Sequence, residues 1–209
     1  SLVGKKFPNV TVDAITKSGE NLRLNILDEA VSKQTKVLLF WYPKDFTFVC
    51  PTELHAFQAA LEEFKNRNTM VIGASCDTNE VHFAWLCTPK SQGGIEGVTY
   101  PLLADTHRQL ANILGIVDQD FEYDEEGNET FTGSNVTYRA TYLIDEEGKI
   151  FHESVNDMPL GRNVAEYLRL IDAYTHVQKF GEVCPANWQE GKDAMSADRN
   201  STAAYLSTH

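Results

Sequence analysis

The stretch KVLLFWYPKDFTFVCPTE, from Lys36 to Glu53, joins an apolar run to the start of an amphipathic segment. The run is short and is ended by Pro43, a pattern typical of a buried β-strand. After Pro51, apolar residues recur at helical spacing, which predicts an amphipathic helix. The stretch therefore predicts a strand, a short loop and a helix, with Cys50 at the junction of loop and helix.

Strands and helices continue to alternate after this stretch. The segment TMVIGAS, Thr69–Ser75, predicts a second buried strand. Residues Asp77–Glu80 form a capping-box pattern, which predicts a helix that ends near Cys87. Another helix is expected over Asp105–Leu114. This alternation indicates an α/β fold.

The later part of the chain favours antiparallel hairpins. The segments Ala140–Asp145 and Lys149–Val155 predict two strands joined by a tight Glu-Glu-Gly turn. A similar turn predicts a second hairpin over Tyr123–Thr132. Together with the preceding alternation, the hairpins predict a mixed central sheet flanked by helices.

The chain is expected to end in a helix followed by an arm. Asn163 is placed to cap a final long helix, which Gly181 terminates. From Cys184 to His209 the sequence is polar and sparsely periodic. This predicts an extended arm, with a short helix near Thr202–Ser207.

The composition narrows the possible function classes. The chain has 209 residues and a net charge of −12, from 18 basic and 30 acidic side chains. No cluster of Lys and Arg occurs, so nucleic acid and anionic membranes are poor partners. The apolar runs are too short to span a membrane. The first ten residues lack the apolar core of a secretion signal, so a cytoplasmic location is expected.

Cysteine and histidine usage predicts no metal site. The four cysteines have a spacing that fits no zinc motif. His55, His82 and His107 lie in helical stretches without a paired ligand. No glycine-rich nucleotide fingerprint occurs, and no cofactor is expected. Free thiols are the default in a reducing cytosol, and Cys76 and Cys87 are predicted as core residues.

The surroundings of Cys50 favour a reactive thiol. Because proline is preferred at the start of a helix, Pro51 places Cys50 in the first turn, where free N–H groups and the helix dipole stabilise a thiolate. Thr47, three residues earlier, can offer a hydroxyl to the same place, and Pro43 and Phe46 can shield it from water. The alternative is that Cys50 is only a small apolar residue at a strand–helix junction.

The motifs around this cysteine resemble a known family. PKDFTFVCPTE, Pro43–Glu53, resembles the active-site segment of peroxiredoxins, in which Pro-x-x-x-Thr-x-x-Cys surrounds the cysteine that attacks peroxide. The segments YPLLAD, RATYLID, PLGRNVAEYLRLIDA and GEVCPANW resemble further parts of the typical two-cysteine group. Within that group, the bacterial alkyl hydroperoxide reductase C type is the most similar. The match extends over nearly the whole chain.

The resemblance implies a role for the residues that carry the chemistry. Cys50 is expected to be the peroxidatic cysteine, and Cys184, supplied by a second subunit, the resolving cysteine. Arg139 is expected to be the active-site arginine. Thr47 and the Cys50 backbone N–H are expected to bind the peroxide oxygens.

Three further residues are expected to support this site. By resemblance, Pro43 is the shield, while Glu53 and Arg162 hold the active-site arginine and the thiolate in place. The resemblance also implies a thioredoxin-like fold with an N-terminal hairpin. The expected division is a peroxiredoxin domain over residues 1–178 and a C-terminal arm over residues 179–209.

The implied activity is thiol-dependent reduction of hydrogen peroxide and alkyl hydroperoxides in antioxidant defence. The Cys50 sulfenic acid would form an intersubunit disulfide with Cys184. A dithiol protein, either thioredoxin or a flavoprotein disulfide reductase, would restore both thiols. The resemblance further implies a homodimer and a decamer of five dimers, without a metal or cofactor.

The sequence departs from the group in one acidic stretch. Residues 118–135 are longer than expected and predict a surface hairpin that could alter oligomer contacts or reductant docking.

Three other functions stay open. A thioredoxin-type reductase needs a second thiol where Glu53 stands. Composition does not exclude a ring-shaped holdase for unfolding clients. A cysteine hydrolase needs a histidine base near Cys50, which no motif nominates.

Overall fold

The fold is built on a mixed sheet of seven strands, and a separate two-stranded hairpin adds two more. The computed structural model describes residues 1–208. In chain order the strands are β1 (Thr11–Ile15), β2 (Asn21–Asn25), β3 (Lys36–Trp41), β4 (Thr69–Ser75), β5 (Leu102–Ala104), β6 (Asp120–Tyr123), β7 (Glu129–Thr132), β8 (Arg139–Ile144) and β9 (Ile150–Asn156). The helices are α1 (Ile26–Lys33), α2 (Cys50–Ala59), α3 (Leu61–Asn66), α4 (Asn79–Leu86), α5 (Gln109–Leu114), α6 (Val164–Phe180) and α7 (Arg199–Thr208), with a short 3-10 helix at Lys90–Gln92.

The strand order confirms the predicted mixed sheet. It runs β2-β1-β5-β4-β3-β8-β9. Strand β4 is parallel to β3 and β5, and the other neighbours are antiparallel. The antiparallel pair β1–β2 is the expected N-terminal hairpin, and β8–β9 is the expected late hairpin. All of these strands lie in the first of two compact units, Ser1–Arg162.

Strand β3 forms the centre of the sheet. Each of its six residues is buried, which explains why the apolar run is continuous, since a strand covered on both faces does not alternate. The Phe40 ring stacks on the Phe57 ring of α2 at a centroid distance of 4.1 Å. This contact sets α2, and therefore Cys50 at its first position, against the end of β3.

The helix predicted after Pro51 is present but divided. Ala60, with φ −92° and ψ 5°, separates α2 from α3. The apolar face predicted from the spacing is nevertheless buried across both pieces, at Leu54, Phe57, Leu61 and Phe64.

Helix α4 ends close to where it was expected but has a different cap. Its N-cap is Thr78, whose hydroxyl accepts a hydrogen bond from the backbone N–H of Val81. The Asp77 carboxylate instead accepts a hydrogen bond from the Ser75 hydroxyl at 2.7 Å. The N-cap therefore lies one residue later than predicted, and Val81 at the third helical position cannot complete a capping box.

Helix α5 is shorter than predicted because the chain turns before it. Arg108 adopts a left-handed conformation, with φ 55°, so the helix begins at Gln109 and not at Asp105. The Asp105 carboxylate accepts a hydrogen bond from the backbone N–H of Ala111 at 2.8 Å. Asp105 thus caps the first turn from outside the helix.

The two remaining cysteines of the first unit differ in environment. Cys76 is half-buried and packs against the main apolar cluster, which agrees with its predicted core position. Cys87 is exposed at the C-cap of α4, so its prediction as a core residue was wrong. The apolar face of that helix ends at Trp85 and Leu86, one residue too early to cover it.

The acidic stretch forms the predicted surface hairpin. Strands β6 and β7 pair antiparallel, and every residue in them is exposed. The Phe121 and Phe131 rings meet across the pair at a centroid distance of 4.8 Å. At the base, the Asp118 carboxylate accepts hydrogen bonds from the Ser134 and Tyr138 hydroxyls.

The second compact unit begins at Asn163, whose side chain caps α6 as predicted by accepting from the backbone N–H of Ala165. Gly181, with φ 69°, ends the helix. The segment after it was predicted to be extended, and this was wrong: it turns back on itself at Asn187 and Gly191, and Val183 pairs antiparallel with Met195. Helix α7 is longer than the short helix expected near Thr202–Ser207. His209, the end of the predicted arm, lies outside the described residues.

Within residues 1–208, none of the helices combines the length and the apolar composition required to cross a bilayer.

The two adjacent glycines of the loop after the 3-10 helix predict very different effects of substitution. A Cβ on Gly94 would lie 1.9 Å from the Thr88 carbonyl oxygen, whereas a Cβ on Gly93 would meet nothing within 4 Å. Gly93 has φ 76°, so Gly93→Ala should cost about 1 kcal/mol of backbone strain. Gly94→Ala must displace backbone and should cost about 3 kcal/mol.

Urea unfolding of both variants measures this difference, because equal slopes allow the midpoints to be compared directly. Equal midpoints for the two variants would contradict the close approach of Gly94 to Thr88.

Candidate active site

Cys50 is fully buried at the first position of α2. The Thr47 hydroxyl donates a hydrogen bond to its Sγ at 2.9 Å and also lies 2.8 Å from the Lys44 carbonyl oxygen. Thr47 has one hydroxyl proton, so the sulfur and this carbonyl compete for it. An anionic sulfur is a stronger acceptor than a carbonyl oxygen, so this hydroxyl is placed to donate to a thiolate.

Arg139, the first residue of β8, supplies a second donor to the same sulfur. Its Nη1 lies 3.4 Å from Cys50 Sγ and 2.7 Å from Glu53 Oε2. Its Nε donates to the Met158 carbonyl at 2.6 Å. The guanidinium is buried and held on two sides, so its position relative to the sulfur is well determined.

Glu53 links the two buried arginines of the site. Its Oε2 accepts from Arg139 Nη1, while Arg162 donates from Nε to Oε1 and from Nη2 to Oε2, both at 2.9 Å. Two guanidiniums and one carboxylate leave a net charge of +1 next to Cys50. A nearby positive charge favours the ionised form of a thiol.

Arg162 is connected to the Cys50 site through Glu53. Besides the carboxylate, its Nη1 donates to the Ala140 carbonyl at 3.0 Å. Its guanidinium carbon lies 5.1 Å from the centre of the Phe40 ring, a cation–π contact. Glu53 and Arg162 were expected to hold Arg139 and the thiolate in place. Glu53 contacts Arg139 directly, whereas Arg162 is linked to Arg139 and Cys50 through Glu53, and the role of both residues stays a prediction.

The two residues expected to shield Cys50 lie in different environments. Pro43 is buried, two residues after Trp41, the last residue of β3. Phe46 is 51% exposed, and its ring lies 5.8 Å from the Trp85 ring. Burial therefore supports the shielding role for Pro43 and gives less support to it for Phe46.

Cys184 lies in the second unit, just after α6. Its Sγ is 3.6 Å from the Ala173 carbonyl oxygen, and the residue is half-buried. Partial burial raises the pKa of the Cys184 thiol, Glu182 adds to that rise, and Arg169 opposes it. All four cysteines are free thiols in this structure.

Sequence reasoning missed two features near the site. The Met158 carbonyl, which holds Arg139, is a backbone group and leaves no side-chain signal. His82, considered only as a metal ligand, is buried against Asp45 in the loop that precedes Cys50. Among residues 1–208, no three His, Cys, Asp or Glu side chains are arranged to hold a metal ion.

Comparison with known proteins identifies the family. Residues 3–153 match the AhpC/TSA family. The chain belongs to the AhpC/TSA family. Residues 173–208 also match the C-terminal domain of 1-Cys peroxiredoxin. The expected family is thus confirmed.

The similarity to individual relatives extends over nearly the whole chain. The protein is 41% identical over 207 residues to Peroxiredoxin-1 of Gekko japonicus, covering 99% of this chain and 96% of that one. It is 39% identical over 205 residues to alkyl hydroperoxide reductase C of Helicobacter pylori, covering 98% and 96%. The reduced 2-Cys peroxiredoxin of Plasmodium vivax has the same fold, with a TM-score of 0.88, 37% identity and 99% coverage of both chains.

This member of the AhpC/TSA family is a peroxiredoxin, an enzyme that reduces peroxides with a thiol, and its peroxidatic cysteine, Cys50, is present. Its mixed α/β architecture is the thioredoxin-like fold of its structural neighbours. The predicted fold class, enzyme class and thiol-dependent peroxidase activity are therefore confirmed.

The shared carboxylate predicts a large loss of stability when its charge is removed. Glu53 is 3% exposed between the two guanidiniums, so Glu53→Gln leaves a buried positive charge uncompensated and should cost about 3 kcal/mol. The control is Glu166→Gln, which breaks the more exposed Glu166–Arg169 pair and should cost under about 1 kcal/mol. Urea unfolding measures the loss in unfolding free energy of both variants. If Glu53→Gln costs no more than Glu166→Gln, the buried Glu53 charge does not stabilise the fold as expected.

Proposed function

We propose that this peroxiredoxin reduces hydrogen peroxide and alkyl hydroperoxides by attack of the Cys50 thiolate on one peroxide oxygen. The sulfur–oxygen bond forms while the O–O bond breaks. The product is Cys50 sulfenic acid, and the departing alkoxide or hydroxide takes up a proton to leave as alcohol or water. The short contacts of Thr47 and Arg139 with Cys50 Sγ carry this proposal.

Arg139 and Thr47 stabilise the transition state in this mechanism. Negative charge moves from the sulfur to the departing oxygen, so donors placed to reach that oxygen gain strength as the reaction proceeds. Each well-placed donor contributes about 3 kcal/mol. Glu53 and Arg162 position Arg139, the Cys50 backbone N–H is a further donor to the peroxide, and buried Pro43 limits access of water.

The second half of the cycle uses Cys184 of the partner subunit. Its thiolate attacks the sulfenic sulfur of Cys50, a disulfide forms, and the sulfenic oxygen leaves as water. The first turn of α2 unwinds to expose the buried Cys50 sulfur. In a symmetric dimer both arms react in the same way, so each dimer forms two identical disulfides.

A dithiol protein, either thioredoxin or a flavoprotein disulfide reductase, restores both thiols by exchange.

The proposed assembly is a homodimer that associates into a decamer. The proposed location is the cytoplasm, where a reducing environment keeps the four thiols free between cycles. We retain residues 1–178 as the catalytic domain and residues 179–209 as the arm that carries Cys184.

Three proteins and one equivalent of peroxide test the two cysteine roles. After mixing, wild type should run as a disulfide-linked dimer on a non-reducing gel. Cys184→Ser should consume the equivalent but remain monomeric on the gel. Cys50→Ser should consume none. Peroxide consumption by Cys50→Ser at the wild-type rate would refute the proposal, whereas a covalent dimer of Cys184→Ser would refute only the role of Cys184.

The raised pKa of Cys184 predicts how disulfide formation depends on pH. Because the thiolate is the attacking species, the rate should increase as the pH rises towards the pKa of this thiol. Glu182→Gln removes one of the charges that raise this pKa, so it should accelerate disulfide formation near pH 7 by about twofold.

Rapid quenching followed by gel analysis gives the disulfide-forming rate. Glu190→Gln, an exposed change in the same arm, is the control and should react like wild type. A Glu182→Gln rate equal to wild type from about pH 6 to pH 9 would exclude the electrostatic effect of Glu182.

A further inference from the structure

A second group of buried polar side chains lies beside the Cys50 loop and has no role in the chemistry described so far. It joins the end of β3, the loop after it, the end of β4 and helix α4. We call it the His82 network, and it consists of Tyr42, Asp45, Ser75, Asp77 and His82. Tyr42, Ser75 and His82 are fully buried, and Asp45 is 3% exposed.

His82 and Asp45 form a buried ion pair. His82 Nδ1 lies 2.7 Å from Asp45 Oδ2, and its Nε2 lies 3.0 Å from the Leu103 carbonyl oxygen. Both ring nitrogens thus face acceptors, which only the doubly protonated ring satisfies. Burial by itself would lower the pKa of His82, but the hydrogen bond and charge of Asp45 raise it above its ordinary value.

Asp45 is anchored at three points. In addition to His82, its Oδ1 accepts a hydrogen bond from the Tyr42 hydroxyl at 2.9 Å. Its backbone N–H donates to Asp77 Oδ2 at 2.9 Å, and Asp77 itself accepts from the Ser75 hydroxyl. Both the side chain and the backbone of Asp45 are therefore tied to rigid elements.

The residues that follow Asp45 lead directly to the reactive sulfur. Phe46 has φ 54°, a left-handed conformation that a bulky side chain rarely adopts. Its ring packs on Trp85, which lies three residues after His82 in α4. The next residue is Thr47, whose hydroxyl is 2.9 Å from Cys50 Sγ.

We propose that His82 and Asp45 are positioning residues for peroxide reduction, because their ion pair holds the left-handed Phe46 turn that aims the Thr47 hydroxyl at Cys50 Sγ. This inference rests on the proposed role of Thr47 as a donor in the transition state. When the pair is lost, the strained turn relaxes and the Thr47 hydroxyl donates to the Lys44 carbonyl oxygen, which is already 2.8 Å away.

The pair exists in a limited pH range. The titratable groups that face His82 are Asp45 from the loop, Tyr42 directly after β3 and Asp77 from the connection before α4. Because the pKa of His82 is raised, the stabilisation that the His82–Asp45 pair gives to the folded protein is complete below about pH 6.5. This stabilisation is lost as the pH rises through the folded-state pKa of His82. Burial raises the pKa of Asp45, while the hydrogen bond and charge of His82 oppose this rise; protonation of Asp45 removes the pair at the acidic end.

Single-turnover oxidation of the reduced enzyme by hydrogen peroxide tests the proposal. His82→Gln and Asp45→Asn should each slow Cys50 oxidation by about 10- to 100-fold, the loss expected when a reacting group is misplaced by about 1 Å. The double variant should be no slower than either single one, since both break the same pair. The control is His55→Gln, a half-buried histidine hydrogen-bonded to Gly94, which should react within about twofold of wild type.

Two further measurements separate positioning from a general loss of structure. In a Thr47→Val background, His82→Gln should have little additional effect, because the hydroxyl it positions is gone. The ratio of wild-type to His82→Gln rates should also be largest below about pH 6.5 and should shrink as His82 deprotonates. Far-UV circular dichroism shows whether His82→Gln is folded. If it is not, the oxidation rate of Asp45→Asn, which preserves the shape of the side chain, tests the positioning role.

Opposite results overturn the proposal in distinguishable ways. A folded His82→Gln or Asp45→Asn that reacts like wild type refutes positioning and leaves the role of Thr47 intact. An equal loss with and without the Thr47 hydroxyl shows that the pair acts by another route. If Thr47→Val itself reacts at the wild-type rate, the donor role assigned to Thr47 under the proposed function fails, and this inference fails with it.

Discussion

The active site depends on one carboxylate shared between two buried guanidiniums. Glu53 binds Arg139 at 2.7 Å and Arg162 at 2.9 Å, and without it two positive charges would be buried side by side. The shared carboxylate makes their burial tolerable and leaves one net positive charge for the sulfur. Arg139 can therefore sit 3.4 Å from Cys50 Sγ, close enough to donate to a peroxide oxygen as that oxygen takes up charge.

The sheet order brings these groups together from distant parts of the chain. Strands β3 and β8 are neighbours, so Arg139 at the start of β8 lies beside the end of β3, where the loop to Cys50 begins. The strand pairing thus bridges 89 positions of sequence. The Phe40–Phe57 ring stack then packs α2 against β3, which brings the helix start next to the arginine.

Much of the architecture followed from local patterns, and the differences have identifiable causes. Continuous apolar runs predicted β3 and β4 because strands buried on both faces need no polar side. Helix starts were less predictable, because caps depend on single hydrogen bonds such as those of Thr78 and Asp105. Cys87 was assigned to the core from residue type alone, yet the buried face of α4 stops one residue before it.

The sequence by itself determined the local part of the site. Cys50 next to Pro51 specifies a sulfur at a helix start, and Thr47 three residues earlier places a hydroxyl close to it in sequence, since both features depend only on neighbouring residues. Only the tertiary structure decided that Glu53 is shared by both arginines and that His82 pairs with Asp45. Those contacts join separate elements, and their energies come from burial, which excludes water and makes every unpaired charge costly.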